Sequence, residues 1–134
     1  MMKRTIVSLL FLALGSYMAW GQSGILEKLQ QIKEISDIKK MDIDSFDEYY
    51  EFWYEQPIDH SRPEGGKFKQ RVLLGHKNKP KAPVIVELQG YNIWSPKAGE
   101  LAQLLNGNQL TIEHRFFDRS VPCLLYTSDA ADDG

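Results

Sequence analysis

The spacing of apolar positions changes repeatedly along the chain, and each change marks a new element. After a basic start at Lys3 and Arg4, residues 5–20 are apolar apart from Thr5, Ser8 and Ser16. Such a run is shorter than the about 20 residues a membrane span needs, and it suits the apolar region of a secretory signal peptide. Ala19 and Gly21 are the small residues a signal peptidase requires, so cleavage is expected between Gly21 and Gln22, with residues 1–21 as leader. An uncleaved membrane anchor is the alternative. Residues 22–45 then carry Ile25, Leu29 and Ile32 at helical spacing, continued by Ile35, Ile38 and Met41 every third residue. The pattern predicts a helical N-terminal extension from Gln22 to about Asp44, with Lys33 and Asp37 as an i,i+4 pair.

From Ser45 the texture turns aromatic and acidic. Phe52 and Tyr54 alternate with Trp53 and Glu55, which predicts a half-buried strand ending at Pro57. A Gly-containing loop follows at 61–66, and residues 67–76 alternate again: Phe68, Gln70, Val72 and Leu74 on one face, Lys69, Arg71 and Leu73 on the other. Two strands so closely joined predict an antiparallel hairpin, and residues 77–81 are a basic turn. Residues 84–88 are almost continuously apolar, as in a strand covered on both faces. Ser95 followed by Pro96 is a helix start signal, Leu101, Leu104 and Leu105 supply an apolar face, and Asn106-Gly107 is a stop. Residues 109–117 predict the next strand. Strand, helix and strand in so few residues form a βαβ unit with a parallel pair. The fold class is therefore α/β: an antiparallel hairpin feeding a βαβ unit, the beginning of a larger mixed sheet.

Composition narrows the function classes. The 134 residues hold 16 basic and 18 acidic side chains, a net charge of −2, which excludes a basic nucleic-acid-binding surface and allows one domain at most. The single cysteine, Cys123, cannot close an internal disulfide, and there is no Cys/His zinc spacing, metal cluster or Gly-rich phosphate loop, so no cofactor is expected. Seven acids from Asp42 to Asp59 precede any compensating base. They form either a solvated acidic edge or a field that attracts cationic groups such as free amino termini.

In open α/β sheets, sites form beyond the carboxyl ends of the parallel strands. Gly90 and Tyr91 follow the first such strand, where a backbone N–H could meet a developing oxyanion; a plain turn glycine is the alternative. At the second strand end, alternation would put Glu113 and Arg115 on one side, as a substrate-binding pair or a strand-end ion pair. His114 has no recognisable nucleophile beside it. Ser120 is followed by Val121-Pro122 and not by the glycine turn of a nucleophile elbow, and His60 sits in a loop after Asp59. These residues alone leave the function unread.

The last segment breaks the pattern. The string CLLYTSDAAD at 123–132 follows a strand-like stretch without turn residues and resembles the in-frame translation of a transposase-type sequencing adapter. Residues 123–134 are accordingly expected not to be native, with the natural frame continuing after Pro122. A natural acidic tail is the alternative.

The motifs between the ends resemble the secreted tripeptidyl aminopeptidases, serine peptidases of α/β-hydrolase fold. The matching strings are YEFWYEQPIDH at 50–60, FKQRV at 68–72, VIVELQGY at 84–91, NQL at 108–110 and EHRFFDRSVP at 113–122. A looser likeness to lysosomal prolyl carboxypeptidases runs in the same order. The resemblance implies that residues 46–122 are the N-terminal part of an α/β-hydrolase peptidase domain. It further implies that the loop at Gly90 and Tyr91 supplies one oxyanion-hole N–H, and that the nucleophile lies on a later G-x-S-x-G elbow. No G-x-S-x-G occurs in the chain, so no catalytic residue is assigned within it and the chain itself is expected to be inactive. The implied parent is an exported peptidase acting on peptides, with no nucleic-acid partner and no lasting membrane anchor. Glu113 and Arg115 are its candidate substrate-binding residues. Two alternatives remain: an esterase of the same fold, and a small exported module binding peptide or glycan through the aromatic stretch at 49–54.

Overall fold

A computed structural model describes residues 24–122, so the expected leader and the string from Cys123 lie outside the described residues. The elements are α1 (Ile25–Gln30), β1 (Ile35–Met41), β2 (Glu48–Pro57), β3 (Lys67–His76), β4 (Val84–Leu88), α2 (Glu100–Leu105) and β5 (Asn108–Ile112). They build one five-stranded mixed sheet in the order β1-β2-β3-β5-β4. The expected hairpin is present: β2 and β3 pair antiparallel from Glu48↔His76 to Pro57↔Lys67. So is the expected parallel pair, with β4 beside β5 from Val84↔Asn108 to Leu88↔Ile112.

The helix expected over residues 22–44 stops at Gln30, and Ile35–Met41 is a strand antiparallel to β2. A bulge explains why the spacing misleads. The register slips between Ser36 and Lys39, with Asp37 in the left-handed region at φ 54°. The extra residue lets Ile35 and Ile38, three apart, pack on the same cluster, while Met41 falls on the opposite face. A period of three can thus be a broken period of two. Asp37 does not pair with Lys33. It takes Lys69 at 3.3 Å, and that bond, chiefly, holds its carboxyl below the usual range.

Each face of the sheet has its own core. Leu29 of α1 covers Tyr50, Phe52 and Val72 on one face, with Leu110 and Ile112 alongside. Tyr49, Leu73 and Ile93 form the other, flanked by Met41, Ile43 and Phe46. Hence Tyr49, Tyr50 and Phe52 are core residues, and the aromatic stretch offers no continuous surface for a ligand. The acidic run is compensated across the hairpin, where Glu55 meets Lys67 and Glu51 meets Arg71; Asp59 meets Arg62 within the turn. Asp59 also accepts from the Ser61 hydroxyl and amide, and these contacts keep its carboxyl below the usual range.

Three further expectations are corrected. β4 is not covered on both faces: it is the edge strand among the described residues, and Val84, Val86 and Leu88 are 62%, 54% and 75% exposed. Its other face, with Ile85 buried, lies toward α2. The helix after it begins at Glu100 and not at Pro96. Gln109 of β5 takes the Lys97 carbonyl at 3.1 Å and the Gly99 amide at 2.7 Å, which holds the preceding segment extended. A tertiary bond overrides the local Ser-Pro signal. The helix buries Ala102, while Leu101, Leu104 and Leu105 face outward. Its end is as expected, with Asn106 left-handed at φ 47° and the Gly107 amide returning to the Ala102 carbonyl at 3.0 Å. Finally, β5 ends at Ile112, and residues 113–122 form a turn-rich loop in which Phe116 and Asp118 have positive φ.

Candidate functional site at the ends of the parallel strands

The carboxyl ends of β4 and β5 lead into the two loops, 89–99 and 113–122, that the sequence marks as the place for chemistry. Beyond the last strand pair two backbone bonds join these loops: the Gln89 amide donates to the Ile112 carbonyl at 3.0 Å and the His114 amide to the Tyr91 carbonyl at 3.1 Å. Tyr91, His114 and Phe117 are thereby drawn into an exposed cluster. Phe117 meets Tyr91 and His114 edge-on, at 5.3 and 5.1 Å between centroids. Nδ1 of His114 lies 2.7 Å from the Arg115 carbonyl, an acceptor only, so Nδ1 is the donor in that bond. Among the described residues neither the Gly90 nor the Tyr91 amide is engaged. The Gly90 φ is not in the left-handed region, and a Cβ there would meet nothing within 4 Å. The glycine is therefore not demanded by the turn; it leaves open space beside the backbone.

Beneath this rim lies a buried polar brace centred on Glu113, which is 0% exposed. One carboxylate oxygen accepts from the Ile93 amide at 3.1 Å and lies 3.7 Å from Arg71 Nη1; the other accepts from Ser120 Oγ at 2.7 Å. The Arg71 amide donates to Ser120 Oγ at 2.9 Å, its Nη1 to the Ile93 carbonyl at 3.0 Å, and its Nε to Glu51 at 3.1 Å. With every group partnered, the charges can stay in a dry interior.

Glu113 and Arg115 are therefore not a pair, because β5 ends before either and alternation no longer applies. Arg115 instead lies over the paired Phe68 and Phe116 rings, 5.1 and 4.6 Å from their centroids, and donates to the Ile58 carbonyl at 2.6 Å, tying its loop to the hairpin end. Glu113 faces inward with both oxygens occupied, so it is not presented to a ligand in this structure. Ser120 is fully buried with its hydroxyl committed, and His60 is a surface side chain 3.2 Å from Gln56. The reading from sequence passed over Arg71. The signal was there: a guanidinium in the middle of a strand whose neighbours Val72, Leu73 and Leu74 are apolar on both faces.

A second buried group, Tyr49, is 1% exposed, and its hydroxyl has no partner among the described residues. It borders a cavity of about 140 Å³ lined also by Glu87, Gln109, Thr111 and Lys97. Burial, and after it the Glu87 carboxylate, push the phenol up to about 12 from its ordinary 10.0. An acid whose folded value is raised contributes stability that is complete below its unfolded value and lost as pH rises through the folded one. Unfolding measured between pH 10 and 12 should thus lose about 2 kcal/mol through this phenol. Tyr49→Phe should abolish that component and leave stability at pH 7 equal or higher, since no hydrogen bond is lost. An unchanged alkaline loss in the variant would contradict it.

A family model described as PS-10 peptidase S37 matches residues 22–130. A prolyl tri/tetrapeptidyl aminopeptidase from Streptomyces mobaraensis is 31% identical over 102 residues, which is 75% of this chain and 21% of that protein. The chain thus spans about a fifth of the curated relative it matches.

Proposed function

The chain belongs to the peptidase S37 family, and on that premise we propose that the protein is an exported serine peptidase of α/β-hydrolase fold that removes short peptides from free amino termini. The likeness to tripeptidyl aminopeptidases is shared with the relative named above. The observation that carries the reading is the position of Gly90 and Tyr91 at the carboxyl end of a parallel strand, with amides unengaged among the described residues and open space beside Gly90. That loop follows the third strand counted from β2, the position from which hydrolases of this fold take one oxyanion N–H. Tyr91, His114 and Phe117 would form an aromatic wall beside it, suited to stacking on a proline ring such as the relative's name implies. The nucleophile would lie on an elbow outside residues 24–122, because no G-x-S-x-G occurs in the chain and Ser120 is buried with its hydroxyl committed.

Expression of the complete reading frame tests this. A fluorophosphonate reagent should label a serine outside this chain, and tripeptidyl reporters with free amino termini should be cleaved far faster than the acetylated ones. Cleavage of esters but of no peptide would hand the site to the esterase reading, and absence of labelling would end the serine mechanism.

A further inference from the structure

Loops at strand ends are ordinarily the least constrained parts of a fold, yet the loop carrying Gly90 and Tyr91 is clamped at Ile93 on both backbone groups. Its amide is held by Glu113 at 3.1 Å and its carbonyl by Arg71 at 3.0 Å. We propose that Glu113 and Ser120 are positioning residues: with Arg71 they form a brace that sets where the Gly90 and Tyr91 amides stand for catalysis. The inference rests on the function proposed above.

The brace ties the two strand-end loops to each other and to one rigid floor. Ser120, from the loop after β5, holds the second Glu113 oxygen at 2.7 Å and takes the Arg71 amide at 2.9 Å, so its hydroxyl is used as donor and acceptor at once. The floor is β3, whose pairing with β2 is unbroken along its length. The Glu113 amide also returns to the Arg71 carbonyl at 3.1 Å, and its carbonyl accepts from Gln70 at 2.6 Å, so the carboxylate cannot drift. Buried charges cost desolvation that apolar packing would avoid. What this set supplies in return is direction: Ile93 is gripped by groups of opposite sign, and only Asn92 separates it from Tyr91. Displacement by about 1 Å at an oxyanion donor is enough to cost catalysis about 100-fold.

The test uses the full-length protein carrying Ser120→Ala or Glu113→Gln, of which Ser120→Ala, losing one side chain's bonds, is the gentler. Hydrogen exchange should quicken about tenfold at residues 89–93 and stay unchanged along β2 and β3. On peptide substrates kcat should fall about 10- to 100-fold with KM nearly constant. Unchanged exchange at 89–93, or an equal rise throughout the sheet, overturns the brace. Faster exchange at 89–93 with kcat intact overturns its catalytic role. If the unmodified protein cleaves neither peptide nor ester, the functional reading fails, while the exchange pattern still decides whether these residues hold the loop.

Discussion

Arg71→Ala is expected to destabilise the fold by about 3–5 kcal/mol, the usual result of removing one partner from a buried ion pair. The guanidinium is the counter-charge for Glu113, which is 0% exposed, and for Glu51, whose side chain is 14% exposed. Its loss leaves Glu113 charged in a dry interior and Glu51 half-buried without its partner, and strips the Ile93 carbonyl of its donor. Packing alone does not restore the site. Arg71→Met should therefore fare little better than alanine, whereas Arg71→Met combined with Glu113→Gln should recover a large part of the loss by removing the stranded charge. Urea unfolding of the full-length protein reads all three. A single Arg71→Ala variant within about 0.5 kcal/mol of the parent would mean that solvent reaches these carboxylates and that the brace is not buried.

Phe52→Ala should cost a similar about 3–5 kcal/mol, by a different cause. Phe52 stands opposite Val72 on the face that α1 covers, is 4% exposed, and shares its cluster with Leu29 and Tyr50. Truncation opens a void between a helix and a hydrogen-bonded sheet, neither of which can move in to fill it. Phe52→Leu keeps most of the volume and should cost about half as much or less. If alanine and leucine prove equally mild, α1 does not close over this face. The same comparison at Tyr54, which is 39% exposed on the same strand, should give little change.

The hairpin was legible because both of its strands alternate and a glycine-bearing loop joins them. The βαβ unit was legible because a short apolar run, a helix stop at Asn106-Gly107 and a second run occur in order. Residues 35–41 were not legible as a strand. Their isoleucines reach one face through a bulge at Asp37, and a bulge leaves no mark in apolar spacing that a helix would not also leave. The start of α2 was misplaced because Gln109, from a later strand, holds the Lys97 carbonyl and the Gly99 amide.

The candidate site divides along the same line. Gly90, Tyr91 and the 113–122 loop could be found from the chain, since the carboxyl ends of a parallel pair follow from strand order alone. The roles of the charged residues could not. Glu113 and Arg115 are two apart and invite pairing, but β5 ends at Ile112, and one turns inward to Arg71 while the other lies over the Phe68 and Phe116 rings. The sequence by itself determined the period of β2 and β3, the parallel pair and where its ends would lie, because these depend on neighbours a few residues apart. Which carboxylate meets which guanidinium, and whether a buried serine is a nucleophile or a strut, depended on contacts between residues 20 to 49 apart, and only the folded sheet brings those together.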